Sequence, residues 1–204
     1  MIKKILLGST VALWLGLAGF GFTQIYHYMN KPGEPGTPPL TYPKTTQLNN
    51  TGLPKLLFFA HPKCPCTDAG IKELSKIMAK LEGKVETHII FYHPPKMSKQ
   101  WVKSTLWQKA TKLKGANVLI DSNGELVKQF QPKTSGQVYL YDNNKQQSLI
   151  YSGGINSSRG HEGDNTGSNS VTNWVLHKKR VSNVFAVFGC SLFHGGLPHK
   201  EQDT

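Results

Sequence analysis

The sequence predicts an α/β domain, built on a mixed, mostly parallel sheet with helices on both faces, behind one N-terminal transmembrane helix. The 204-residue chain opens with an apolar run that is long enough to span a membrane. From residue 54 onward, short apolar runs of strand length alternate with amphipathic stretches of helical length. Strands that alternate with helices are typical of sheets covered on both faces.

The N-terminal segment predicts a membrane anchor. Lys3 and Lys4 precede an apolar run over residues 5–25. About 20 apolar residues suffice to cross a hydrocarbon core of about 30 Å. A positive flank followed by an apolar run is typical of a secretory signal or a signal anchor. Cleavage after Ala18 would leave an unusually aromatic new end, so we predict an uncleaved anchor over residues 1–29. The protein would cross the inner membrane once, with its C-terminal domain in the periplasm or outside.

Residues 30–53 are dense in Pro and Gly and lack apolar periodicity. This composition predicts an extended linker that holds a domain, residues 54–204, away from the bilayer. Within that domain we predict five strands, at residues 55–60, 86–92, 116–120, 137–141 and 147–153. We also predict four helices, at residues 67–81, 98–113, 125–130 and 170–179. The first strand, K-L-L-F-F-A, is a short apolar run of the kind expected for a buried central strand.

The net charge of +12 does not indicate a nucleic-acid partner. The lysines are spread along the chain, without a block of like charges or a known nucleic-acid motif. The charge is expected to form a solvated basic surface. The alternative, given the predicted anchor, is affinity for anionic lipid headgroups.

The three cysteines do not form a disulfide framework, but two of them are clustered. Cys64 and Cys66 flank Pro65 in the loop after the first strand, where a helix begins. Residues at this spacing have α-carbons roughly 5.5–7 Å apart, just within disulfide reach. A helix N-terminus lowers the pKa of a cysteine. Lys63 adds positive charge, and His61 could act as a proton shuttle.

Two other interpretations of this cluster remain open. His61, Cys64 and Cys66 could bind copper or zinc, with Cys190 or His194 as a fourth ligand, because thiolates suit both metals. The single residue between the cysteines differs from the spacing of common structural zinc sites. In the third interpretation, the domain is a redox-inactive binding module that keeps only the fold.

Three further residues are candidates for supporting roles. Cys190 follows an apolar run, which is typical of a core cysteine; the alternative is a third thiol that resolves or relays for the pair. Arg159 and His161 lie in a glycine-rich loop, residues 153–167. That loop is either exposed and flexible or a polar wall over the dithiol, in which Arg159 or His161 stabilises a thiolate.

The strand end at residues 58–60, followed by Pro65 and Cys66 at a helix start, resembles the active-site turn of thioredoxins. Their pattern is W-C-x-x-C. Aligned on the Pro-Cys pair, Cys66 matches the resolving cysteine, Lys63 takes the position of the nucleophile, and Cys64 lies one residue inward. Gly136 stands where the family has a cis-proline before the hairpin strand. Both departures set this chain apart from ordinary thioredoxins.

More specifically, the chain resembles the bacterial membrane-bound thioredoxin-like proteins of the RedB type. The matching features are H-P-x-C-P-C at residues 61–66, T-S-G at 134–136, S-G-G at 152–154, G-H-E-G-D-N at 160–165 and F-G-C at 188–190. We therefore predict a thioredoxin-like domain that exchanges disulfides with exported protein thiols or disulfides and needs no cofactor. Cys64 is predicted to attack because it lies farther from the helix interior, and Cys66 is predicted to resolve.

Overall fold

The computed structural model describes residues 2–43, 48, 51–179 and 184–193, and all structural statements below refer to these residues. The strands are β1 (Lys55–Ala60), β2 (Glu86–His93), β3 (Ala116–Ser122), β4 (Gln137–Tyr141) and β5 (Leu149–Gly153). The helices are α1 (Ile2–Asn30), α2 (Cys66–Lys80), α3 (Lys99–Val102), α4 (Thr105–Ala110), α5 (Glu125–Phe130) and α6 (Thr166–His177).

The five strands form one mixed sheet in the order β3-β2-β1-β4-β5. β1 pairs parallel with β2, and β2 pairs parallel with β3. β4 runs antiparallel to both β1 and β5. The mixed sheet is confirmed, but two of its four pairings are antiparallel, because the hairpin β4-β5 joins the sheet beside β1. The sheet is thus evenly mixed rather than mostly parallel.

β1 is buried along its whole length, as the apolar run predicts. Its side chains alternate between two cores, as the twofold period of a strand requires. Phe58 packs with Leu74 and Trp174 on the face covered by α2 and α6. Phe59 packs with Phe130 on the opposite face, beneath α5. Full burial of one such aromatic side chain stabilises the fold by about 1.5–3 kcal/mol. The carboxyl end of β1, where the cysteine loop begins, is therefore rigidly held.

The predicted helix over residues 98–113 is broken into α3 and α4. Ser98 and Ser104 cap the two pieces, since their hydroxyls accept hydrogen bonds from the amides of Trp101 and Trp107. A serine with extended backbone is a favoured N-cap, so Ser104 starts a second helix instead of continuing the first. The last predicted helix begins earlier than expected, at Thr166, because Asn165 caps it by accepting from the Ser168 amide.

Residues 31–43 of the predicted linker lie on the domain surface. The Gly33 amide donates to the Val187 carbonyl at 2.8 Å, and the Tyr42 amide donates to the Gln147 carbonyl at 2.9 Å. The Leu149 amide donates to the Leu40 carbonyl at 2.8 Å. The predicted extended linker thus runs along the domain in this stretch, because its backbone groups find hydrogen-bond partners there. Residues 44–47 and 49–50 of the linker lie outside the described residues.

α1 has the length and composition of a membrane-spanning helix, and none of its residues is buried. Its 29 residues correspond to about 44 Å. A signal sequence near the N-terminus would have the same properties. The last turn of α1 touches the domain, since the Arg159 amide donates to the Met29 carbonyl at 2.9 Å.

Candidate active site

The cysteine loop connects the end of β1 to the start of α2 through a tight turn. The Cys64 amide donates to the His61 carbonyl at 3.2 Å, and the Thr67 amide donates to the Cys64 carbonyl at 3.0 Å. Pro65 has φ −59° and ψ −33°, a right-handed helical conformation. Proline suits a helix start because its missing N–H has no helical partner there. The first helical turn thus begins at Cys66, the first residue of α2, and Cys64 precedes it by two positions.

The surroundings of Cys64 lower the pKa of its thiol and so stabilise the thiolate form. Its side chain is 1% exposed. Its sulfur accepts a hydrogen bond from the Cys190 amide at 3.4 Å. The pKa of Cys64 is lowered to about 4, mainly by a hydrogen bond from the Cys190 side chain. The Thr67 hydroxyl and the amides of Cys190 and Thr67 act in the same direction, whereas burial opposes them. At neutral pH Cys64 is therefore a thiolate.

The other two cysteines stay protonated. Burial, followed by the negative charge of Cys64, raises the pKa of Cys66, while Arg159 acts in the opposite direction. The hydrogen bond to Cys64 raises the pKa of Cys190, and burial and the Cys64 charge add to it. Arg159 again opposes these effects. The site thus combines one thiolate with two thiols.

The predicted order of accessibility is wrong. Cys64 was expected to be the outer sulfur, yet it is buried, whereas Cys66 is half-buried. The C-terminal segment, residues 184–193, reaches the buried sulfur, since the Cys190 amide donates to it at 3.4 Å. Cys190, expected in the core, instead reaches the thiolate from a position 126 residues away. The alternative interpretation of Cys190 as a third thiol of the site fits this geometry.

The C-terminal segment is held by short antiparallel pairing to the loop that precedes β4. Thr134 and Ser191 form an antiparallel bridge. The Ser135 amide donates to the Cys190 carbonyl, and the Leu192 amide donates to the Lys133 carbonyl, both at 2.8 Å. A β-carbon at Gly189 would collide with the Ser135 carbonyl, so only glycine permits this approach.

Gly136 stands at the position of the thioredoxin cis-proline, but it differs from proline in both backbone conformation and hydrogen bonding. It has φ +90°, which glycine adopts readily, and the described residues contain no cis peptide bond. Its amide donates to the Phe59 carbonyl at 2.8 Å, a bond that proline cannot make. The neighbouring Ser135 hydroxyl accepts from the His61 amide at 2.8 Å and shares a hydrogen bond of 2.7 Å with Thr67.

The sequence interpretation missed Ser135 and Thr67 as members of the site. The T-S-G motif at residues 134–136 was the signal that could have identified Ser135. Thr67, in the first turn of α2, uses its hydroxyl on Cys64 and Ser135.

Arg159 is the charged residue of the glycine-rich loop that reaches the cysteines. Its Nη1 donates to the Gly189 carbonyl at 2.6 Å, and its Nε donates to the Lys31 carbonyl at 3.1 Å. Its guanidinium also hydrogen-bonds the Cys66 thiol. His161 is exposed, and its hydrogen bonds in the described part of the chain go to Asn156 and Ser158. Arg159, not His161, is therefore positioned to stabilise a thiolate.

His61 and Lys63 flank the site without forming a metal centre. The buried His61 ring packs edge-to-face on Trp101 at 5.4 Å, and its Nδ1 accepts from the Lys63 amide at 3.2 Å. The Lys63 side chain is exposed. Within the described ranges, no group of three or more His, Cys, Asp or Glu residues is placed to hold a metal ion. The copper or zinc alternative at His61, Cys64, Cys66 and Cys190 stays a hypothesis, and His194 lies outside these ranges.

No protein-family model and no curated protein matches the sequence. Solved structures do match. A hypothetical protein from Sinorhizobium meliloti is 18% identical, with TM-score 0.57 over 82% of this chain and 99% of that one. An uncharacterized conserved protein from Geobacillus kaustophilus is 16% identical, with TM-score 0.58 over 83% and 95%. StoA from Bacillus subtilis is 18% identical, with TM-score 0.44 over 69% and 98%.

The connectivity within the sheet identifies the fold. A central strand leads through the cysteine loop into a helix and a parallel neighbour, and an antiparallel hairpin and a final helix complete the domain. The cysteines lie at the N-terminus of the helix that follows the central strand, beside the loop that enters the hairpin. The domain therefore has a thioredoxin-like fold, with a mixed sheet flanked by helices, and it follows an apolar N-terminal helix.

Proposed function

We propose that this protein is a membrane-tethered thiol–disulfide oxidoreductase that acts on exported proteins through Cys64. The observation that carries the proposal is the environment of the buried Cys64 sulfur, which accepts a hydrogen bond from the Cys190 amide at 3.4 Å. Two amides, one hydroxyl and one thiol act together on a single buried sulfur. The thiolate is the form that attacks disulfides. A purely structural cysteine has no need of such stabilisation.

The exchange would proceed in two steps. The Cys64 thiolate attacks one sulfur of a partner disulfide, and the other partner sulfur leaves as a thiolate. A second thiol of the site then attacks the Cys64 sulfur and releases the partner's remaining sulfur. The site becomes a disulfide and the partner gains two electrons. Run in reverse, the same steps oxidise a partner dithiol.

The stabilised thiolate favours the reverse direction. Stabilisation of the reduced form makes the corresponding disulfide a stronger oxidant. A sulfur of low pKa is also a good leaving group when a partner thiolate attacks the adjacent sulfur. We therefore expect the oxidised protein to donate its disulfide to exported proteins.

The proposed location rests on α1. It is long and apolar enough to cross a bilayer, and two lysines precede its apolar run. This arrangement supports a single-pass anchor in the inner membrane with the domain in the periplasm. The resemblance to RedB-type membrane proteins agrees with the same proposal.

The test uses the full chain, reduced and reconstituted in detergent micelles, with a peptide that contains one disulfide. Mass spectrometry should find a mixed disulfide at Cys64. Cys64→Ser should lose the reaction, whereas Cys66→Ser should still form the adduct. An intact protein that forms no adduct and leaves the peptide disulfide unreduced would be the redox-inactive binding module. Wild-type reactivity in Cys64→Ser would also overturn the assignment.

A further inference from the structure

The helical turn at Pro65 disfavours a disulfide between Cys64 and Cys66, although their sulfurs are close. The amide of Thr67 bonds to the Cys64 carbonyl at 3.0 Å, and Pro65 is right-handed helical. Side chains two residues apart in such a turn do not face each other. A disulfide needs β-carbons about 3.5–4.5 Å apart. Closure of a Cys64–Cys66 bond would thus require this turn to unwind.

Unwinding would also remove the support of the thiolate. Thr67 lowers the pKa of Cys64 through both its hydroxyl and its amide, and both lie in the turn that would open. Cys66 is near enough to hydrogen-bond the Cys64 sulfur, and this contact raises the pKa of Cys66. The groups that lower the pKa of Cys64, however, belong to Cys190 and Thr67.

Cys190 approaches Cys64 from a backbone that is fixed on both sides. Its amide nitrogen lies 3.4 Å from the Cys64 sulfur. The Cys190 carbonyl accepts from the Ser135 amide at 2.8 Å. The preceding carbonyl, that of Gly189, accepts from Arg159 at 2.6 Å. The Cys190 thiol is therefore held against the thiolate while α2 keeps its first turn.

From this geometry we infer that Cys190, rather than Cys66, is the resolving thiol, and that the disulfide of the oxidised protein joins Cys64 to Cys190. The inference rests on the proposed function and names the second sulfur of the same site. Cys66 is then outside the couple and remains a thiol beside Arg159.

The charge of Cys64 determines when the Cys190 thiol ionises. In the reduced site, the hydrogen bond to Cys64 and the charge of Cys64 keep the Cys190 thiol protonated. Once Cys64 is bonded to a partner, its charge is gone and Arg159 still favours ionisation of Cys190. The Cys190 proton passes to water, and the new thiolate attacks the Cys64 sulfur. The partner sulfur leaves with the electron pair of the broken bond and takes up a proton.

The C-terminal segment must move before a partner can react. Cys64 is 1% exposed, and residues 184–193 reach its sulfur through the Cys190 amide. A partner sulfur can reach Cys64 only when the contacts of Ser135 with Gly189 and Cys190 open. The return of the segment brings Cys190 back to the Cys64 sulfur. Opening of the C-terminal segment thus gives the partner access to Cys64. Closing of the segment lets Cys190 attack the Cys64 sulfur and release the partner.

The first test is disulfide mapping of the wild-type full chain. One equivalent of diamide oxidises the reduced protein, N-ethylmaleimide blocks the remaining thiol, and peptides are identified by mass spectrometry. A Cys64–Cys190 link with alkylated Cys66 is expected. A predominant Cys64–Cys66 link would overturn the inference. This test needs no variant, so it stays decisive if a substitution impairs folding.

The second test compares two matched variants with the disulfide peptide. Cys190→Ser should retain the mixed disulfide and release peptide at least tenfold more slowly than the wild type. Cys66→Ser should release it at a rate close to wild type. The opposite pattern would assign resolution to Cys66. Failure of the wild type to reduce the peptide, together with absence of a mixed disulfide in Cys190→Ser, would instead reject the proposed function, so the two failures are distinguishable.

Discussion

Removal of the Thr67 hydroxyl should raise the pKa of Cys64. Thr67 is buried in the first turn of α2 and hydrogen-bonds the Cys64 sulfur. Thr67→Val keeps the shape of the side chain and removes the donor. The amides of Thr67 and Cys190 and the Cys190 thiol remain, so the pKa should rise only in part toward its ordinary value.

The size of the effect follows from the strength of one charge-assisted hydrogen bond. Such a bond contributes about 1.5–3 kcal/mol. One pKa unit corresponds to about 1.4 kcal/mol. The loss therefore predicts a rise of about one to two units, from about 4 to about 5–6. This is still well below the ordinary cysteine value of about 8.5.

Far-ultraviolet absorbance of the thiolate measures this pKa in the reduced full chain. Cys66 and Cys190 have raised pKa values, so an ionisation step below neutral pH belongs to Cys64. The matched control Thr67→Ser keeps the hydroxyl and should stay within about half a unit of wild type. An unchanged pKa in Thr67→Val, or a wild-type value near 8.5, would refute the reasoning.

Three other outcomes are expected. Because the folded pKa of Cys64 is lowered, the unfolded chain binds more protons between about pH 4 and 8.5. The difference in unfolding free energy between reduced wild type and Cys64→Ser should therefore shrink by up to about 1.4 kcal/mol per unit as pH falls through this window; urea titrations that show a constant difference would contradict this. Glu86→Gln should destabilise the fold by roughly 3 kcal/mol, because Glu86 and Lys55 form a buried ion pair. A loss below about 1 kcal/mol in urea unfolding would count against that pair. Gly189→Ala should displace the C-terminal segment from Ser135 and speed alkylation of Cys64 by iodoacetamide at least tenfold; an unchanged rate would show that the segment does not control access.

The sequence predicts those parts of the structure that depend on short patterns of neighbouring residues. The apolar run of β1 specifies a strand buried on both faces, since neither face offers a polar side chain to water. Cys64 and Cys66 are recognisable because their position after that strand is visible in a few consecutive residues. The sequence does not predict the break between α3 and α4, because the apolar stripe continues past Ser104. The helical backbone, however, is interrupted at that residue.

The contacts between distant segments were not predictable from local patterns. Cys190 lies in an apolar stretch, and Val187 and Leu192 are indeed buried. Their burial fixes the segment on the domain and leaves Cys190 at the thiolate, which composition alone does not distinguish from a core position. Residues 31–43 are similar: Pro and Gly predict an extended chain, but not the surface on which it lies.

The position of Arg159 has a consequence for where the protein can meet its partners. Its amide bonds to Met29 in the last turn of α1, and its side chain bonds to Lys31 directly after the helix. The same side chain contacts Cys66 and Gly189. With α1 in the bilayer, the cysteines would lie close to the lipid surface, because in the described part of the chain no long flexible linker separates them from the helix. The search for a partner then becomes two-dimensional, and it favours sulfurs in membrane proteins or in chains docked on the same leaflet.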